Sequence, residues 1–236
     1  MIKLEIKGVD NVTRVLNRLG KQSNSVSARA LNNLGFGIRK SLQKEMESAF
    51  ANPTPYTKRS IYVHKATETN PTMTVDFKDE AFKAIPPDRY MRPQVYGGSR
   101  VLKRSERRLG TYAYPGRGAE LDAYGNMSRG EIVKILTQLG RLGVNTMSKR
   151  ARKAGIAQKI IHRHLGTQYF VARSKSNGKP LGVWKLLGTG RVTPVLAFGR
   201  KPNYKPRFDF HGVAQRVIEE RMERELVRAL KYELGK

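Results

Sequence analysis

The residues most able to do chemistry are few. His162-Arg163-His164 is the densest histidine cluster. On a strand its two imidazoles would share a face and could grip a metal ion. The surroundings oppose this, because the nearest carboxylates in sequence are Glu131 and Asp209 and the flanking charges are basic. Asp76, Asp79 and Glu80 gather at one predicted strand end and form the best candidate for a magnesium-dependent nuclease. The simpler reading is a solvated turn. Gly188-Thr-Gly190-Arg191 and Gly116-Arg-Gly118 complete neither a dinucleotide fingerprint nor a phosphate loop, so both read as turns. No serine stands at a recognised spacing from a histidine and an acid. Cysteine is absent, which removes disulfides, thiolate nucleophiles and cysteine zinc sites. The chain is therefore expected to be no enzyme, with no cofactor and no metal.

The charge says more than these clusters do. The 236 residues carry 46 Lys+Arg against 19 Asp+Glu, a formal net charge of +27. Between Glu131 and Asp209 lie 77 residues without one acid and with 17 Lys or Arg. No local pairing can neutralise such a span, so salt, distant acids or a polyanionic partner must do so. Its densest point is Lys149, Arg150, Arg152 and Lys153, followed by Lys159 and Arg163. These six are the expected DNA- or polyanion-facing residues. Tyr90, Tyr96, Tyr112, Tyr114 and Tyr124 stand among basic residues in the middle of the chain. With Arg92 and Arg100 they read as a protein interface, where Tyr and Arg are enriched. Stacking on unpaired bases is the alternative use of such tyrosines.

The elements that must position these residues follow from hydrophobic periodicity. Ile2, Leu4 and Ile6 alternate with charged residues, predicting a short strand; a short helix follows Asp10. Leu31, Leu34, Ile38, Leu42 and Met46 form one stripe of a long helix over 28–50. Gly35 and Gly37 inside it suggest close approach of another backbone. Strands are expected at 61–63 and 73–77, an irregular loop at 86–98, a basic helix at 101–109 and a loop at 112–126. Ser128 with Glu131 forms a capping-box pattern for the next helix. Strands follow at 169–171, 183–186 and 192–198, where Pro194 marks an edge or bulge, and a helix closes the chain at 211–234. This predicts an α+β fold: a β-sheet flanked by a long N-terminal and a long C-terminal helix. It is expected as one domain, 1–236, with a basic helical and loop-rich insertion at 100–166. Apolar runs fall far short of the roughly 20 residues that span a bilayer, so no membrane partner is expected. The opening MIKLEIKG has no signal-peptide core, so export is not expected either.

Three segments taken together resemble a known family. The first runs from Ile2-Lys-Leu-Glu-Ile-Lys-Gly8 through the helix Ala28 to Phe50 into Pro55-Tyr-Thr-Lys-Arg-Ser-Ile61. The second holds Tyr90-Met-Arg-Pro-Gln-Val-Tyr-Gly-Gly-Ser-Arg100, Lys103 to Leu109 and Asp122 to Val133. The third holds Thr193-Pro-Val-Leu-Ala-Phe198, Tyr204 to Phe210 and the final helix. In order and spacing they look like the minor tail protein Z, or tail-completion, family of tailed bacteriophages. The resemblance implies a non-enzymatic structural subunit of the virion neck that completes the head-proximal end of the tail. It further implies a hexameric ring around the DNA channel. The implied partners are the tail tube or terminator, the head connector or portal adaptor, and packaged double-stranded DNA touched without sequence preference. The implied location is the virion tail or neck, with the host cytoplasm during assembly. The insertion Arg100 to Gly166 departs from the shorter members. The competing expectation is a sequence-independent nucleic-acid-binding protein.

Overall fold

The computed structural model describes residues 3–6, 22–81, 85–141, 168–187 and 190–235. The chain is α+β, as expected. It divides into two compact units: Met1–Arg100 with Asn203–Lys236, and Val101–Pro202, which interrupts the first in sequence.

In the first unit, strand β1 (Lys3–Ile6) precedes helix α1 (Gln22–Ala49). A one-turn helix α2 (Pro55–Lys58) leads to β2 (Ile61–His64) and β3 (Met73–Phe77), then helix α3 (Pro87–Tyr96). The unit closes with α6 (Phe210–Leu234). The sheet is antiparallel in the order β1-β3-β2. The predicted stripe is the buried face of α1: Leu34, Ile38, Leu42 and Met46 are all fully buried. It packs on Ile61, Val63, Met73, Val75 and Phe77, which alternate out of β2 and β3 toward it. At the N-terminal end of α1, Val26 and Ala30 meet Ala229, Leu226 and Leu230 of α6. Arg29 of α1 fastens that end by donating from Nε to Glu233 Oε1 at 2.8 Å and lying over the Tyr232 ring at 3.7 Å.

The region 86–98, expected as a loop, is mostly helix. Its prolines are accommodated by the helix. Pro87 sits at the first helical turn, where a missing N–H costs nothing, while Pro93 lies inside the helix and forfeits one bond. Burial of Met91 offsets that loss. Gln94 also anchors the chain entering α6: its carbonyl accepts from Arg207 and Phe208 N–H, and its Oε1 accepts from Arg207 Nε at 2.7 Å.

The glycines of α1 have unequal roles. A Cβ on Gly35 would lie 2.7 Å from Met73 Sδ and 2.9 Å from Val63 Cγ1, so it is sheet side chains, rather than a backbone, that approach there. At Gly37 the nearest atom is Arg221 Nη1 at 3.4 Å, the far end of a flexible side chain. Gly35→Ala is expected to destabilise the first unit by about 1–3 kcal/mol through overpacking. Gly37→Ala is expected to be neutral or stabilising by up to about 1 kcal/mol through helix propensity. Urea unfolding of both variants checks this; equal midpoints would contradict it.

In the second unit, helix α4 (Arg104–Leu109) is followed by β4 (Tyr112–Pro115), helix α5 (Arg129–Gln138) and strands β5 (Gln168–Arg173), β6 (Pro180–Leu186) and β7 (Val192–Gly199). These strands form an antiparallel sheet in the order β4-β7-β6-β5. The region 112–126, expected as a loop, therefore begins with an edge strand. Its breakers act just past the strand: Gly116 N–H donates to Val195 O at 2.8 Å, and a Cβ on Gly116 would collide with the Pro194 carbonyl. The basic region thus runs beyond 166, because β4 is hydrogen-bonded to β7 and draws 168–199 into the same unit. Pro194 does mark a bulge, but β7 is not an edge, since it lies between β4 and β6. The register shift places Val183 opposite Leu196 and Trp184 opposite Pro194, so Val195 is the extra residue. Both Val195 and Leu196 consequently reach the core with Val183, Tyr169 and Ile135.

Candidate functional site

The four acids of the second unit decide what its surface presents. Within Val101–Pro202 the sequence holds 21 Lys or Arg and only Glu106, Glu120, Asp122 and Glu131 as acids. Every one of the four is engaged locally. Glu106 is buried within α4 and accepts from Lys103 N at 2.7 Å and Ala113 N at 3.2 Å. Glu131 is buried and accepts from the Tyr169 hydroxyl at 3.4 Å; its Oε2 is buried without a hydrogen-bond partner. Asp122 closes a turn by accepting from Tyr124 N and Asn126 N, each at 2.9 Å, and these bonds hold its carboxyl below the usual range. Glu120 pairs with Lys185 at 3.4 Å. Ser128 Oγ caps α5 by accepting from Glu131 N at 3.1 Å, but the Glu131 carboxylate turns to Tyr169 instead of completing the box. Burial, then the Glu131 charge, pushes the Tyr169 hydroxyl up to about 12. These four carboxylates offset only a small part of the unit's 21 Lys or Arg.

Lys149, Arg150, Arg152, Lys153, Lys159 and Arg163 lie outside the described residues, as do His162 and His164. The predicted interface residues are not equivalent. Tyr90 is half-buried against the core of the first unit and its hydroxyl meets Thr57 Oγ1 at 3.2 Å; burial raises its pKa. Arg92 is exposed and Arg100 half-buried. Tyr96 is exposed and pairs with His211, hydroxyl to Nε2, at 2.9 Å. In the second unit, Tyr112 and Tyr114 are half-buried on β4; Tyr114 donates to Arg200 O at 3.2 Å. Tyr124 is exposed in the Asp122 turn. Of the five predicted tyrosines, Tyr96 and Tyr124 are the exposed ones, each on its own unit.

The acidic trio lies on the sheet face of the first unit that α1 does not cover. A cavity of about 740 Å³ is lined there by Asp76, Asp79 and Glu80 together with Tyr62, His64, Lys65 and Lys78. Asp76 is 6% exposed, and its Oδ1 accepts from Phe77 N at 2.6 Å. Among the described residues no group of three or more His, Asp or Glu is placed to hold a metal ion. Burial is the main cause raising the Asp76 pKa above 3.8. A raised pKa means that the protonated form suits the fold. The stability it contributes is full below about pH 3.8 and is lost as pH rises through the folded value. Asp76→Asn keeps an acceptor for Phe77 N–H and removes the buried charge. It is expected to raise the urea midpoint at pH 7 and leave it unchanged at pH 3. A lower midpoint at pH 7 would contradict this.

One feature was missed in the sequence. Phe170, Trp184 and Pro194 stand directly opposite one another across β5, β6 and β7, on the sheet face away from Ile135 and Val183. Phe170 is 40% exposed. Period-two alternation hinted at two faces here, but both faces carry apolar residues, so only strand pairing shows which one faces outward. Among the described residues no helix is long and apolar enough to cross a membrane. No family model, curated protein or solved structure matches the chain.

Proposed function

We propose that the chain is a non-enzymatic structural subunit of a phage neck or tail, completing the head-proximal tail end and joining it to the head connector. The observation that carries this reading is the charge of the second unit, which sets 21 basic residues against four acids, each bonded within the unit. A surface of that kind suits sequence-blind contact with phosphates in a channel or with an acidic neighbouring ring. The order of segments that resembles the tail-completion family supports the same assignment, and with it a hexameric ring in the virion. Exposed Tyr96 and Tyr124 are suited to contacts with neighbours. In this reading Asp76, Asp79 and Glu80 have no catalytic part. A sequence-independent nucleic-acid-binding protein outside a virion is the second reading, favoured by the same uncompensated charge.

Electron micrographs of a phage preparation lacking this protein test the assignment. Unattached heads and tails are expected. Normal joined particles would remove the neck reading and leave the second.

A further inference from the structure

We infer that the outer face of the second unit's sheet is a stacking platform for an unpaired nucleic-acid strand, centred on Phe170 and Trp184. This goes beyond the neck assignment and does not depend on it. Strand pairing sets Phe170 opposite Trp184 and Trp184 opposite Pro194, so two aromatic rings and the saturated ring of Pro194 form a row across adjacent strands. The row next to it is Gln168, Leu186 and Val192, with Val192 48% exposed. The opposite face is already filled by Tyr169, Val183, Val195, Leu196 and Ile135, so the outer rings are not needed to build that core.

Charge selects the occupant. Arg173, Lys175 and Lys179 surround the β5–β6 turn at one end of the strands, and Arg191 stands at the other; all four are exposed. Arg173 is held in place by donating from Nη1 to Gly178 O at 3.0 Å. Among the described residues Lys175, Lys179 and Arg191 form no ion pair, and the unit's four acids bond elsewhere. These cations lie beyond the two ends of the strands, on either flank of the row of rings, and match a polyanion whose backbone runs along the strands while its rings lie on the sheet. An unpaired strand supplies both parts, phosphates at the ends and base faces in the middle. A duplex hides its base faces in the stack and can use the cations alone. An acidic polypeptide offers the charge without a regular series of flat rings. Stacking needs no particular base, since every base has a π-face.

Trp184 is the chain's single tryptophan, so its emission reports directly on the platform. The full chain is titrated with an oligothymidylate of about 16 nucleotides, with a duplex of matched phosphate number, and with polyglutamate, all at one salt concentration. The oligothymidylate is expected to quench Trp184, whereas the duplex binds without quenching. Phe170→Ala is expected to weaken oligothymidylate binding about tenfold or more and leave duplex affinity unchanged. Phe170→Leu keeps the apolar bulk without the ring and is expected to weaken it as well, which separates stacking from a folding defect. Phe170→Tyr is expected to retain binding. Three results would each overturn the platform: an oligothymidylate that binds without quenching or does not bind, equal quenching by duplex or by polyglutamate, or a Leu variant with unchanged affinity. None of them bears on whether particles lacking the protein fail to join heads to tails.

Discussion

Mixed-sequence duplex DNA is expected to bind the full chain tightly at 50 mM salt and to lose about 10³–10⁵ in affinity by 200 mM, the loss for six to ten phosphate contacts. The cause is counterion release, which depends on the number of phosphates neutralised and not on base sequence. Two sequences of equal length and different composition should therefore give the same curve. Replacing Lys149, Arg150, Arg152 and Lys153 together by Ala removes the densest part of the acid-free span. If each of the four meets a phosphate, the slope of log affinity against log salt becomes shallower by about 3.6. The second unit holds only four carboxylates, Glu106, Glu120, Asp122 and Glu131, against 21 Lys or Arg, so its positive excess is large. The salt slope of the quadruple variant decides the matter. A slope equal to wild type, with particle assembly unaffected, would remove these four from the polyanion-facing surface.

Phe210→Ala is expected to destabilise the first unit by about 3–5 kcal/mol, a large share of a typical folding free energy. Phe210 is fully buried, with ring centroids 5.2 Å from Phe77 and 6.3 Å from Phe208. Phe208 continues the cluster to Phe50 at 5.8 Å, and Arg207 lies 4.7 Å over the Phe50 ring. Phe210 also begins α6, just after Asp209 caps that helix by accepting from Gly212 N at 2.8 Å. Truncation therefore opens a cavity where strand β3, the start of α6 and the end of α1 converge. Phe36 is the internal control. It lies on α1 away from the buried stripe and is 43% exposed, so Phe36→Ala should shift stability by no more than about 0.5 kcal/mol. Denaturant unfolding of both variants checks the contrast. Equal losses would show that the aromatic cluster does not hold the unit together as described.

Part of this contrast was legible beforehand. Phe36 falls between the stripe positions Leu34 and Ile38, so its exposure follows from a period of 3.6. Phe208 and Phe210 sit in a segment without periodicity, Tyr204-Lys-Pro-Arg-Phe-Asp-Phe210, and nothing local marks them as core. Their burial comes from residues distant in sequence, Phe77 above all. Tyr90 is a second case of a setting that local sequence does not show. Its basic, proline-rich setting suggested an interface, yet α3 turns it onto the core and gives its hydroxyl to Thr57.

By itself, the sequence determined what depends on local order and on composition: the stripe of α1, the final helix, most of the strands, and a basic excess with no carboxylates from Glu131 to Asp209. Helical and strand periods are encoded by neighbours a few residues apart, and net charge needs no coordinates at all. Tertiary structure alone decided three further matters. Burial and a packed helix face let α3 form across Pro93. The pairing of β4 with β7 drew 168–199 into the basic unit. Strand register chose which apolar face of that unit's sheet fills the core and which leaves Phe170 and Trp184 in a row outside it. Each depends on partners far apart along the chain, where composition and spacing carry no information about which groups meet.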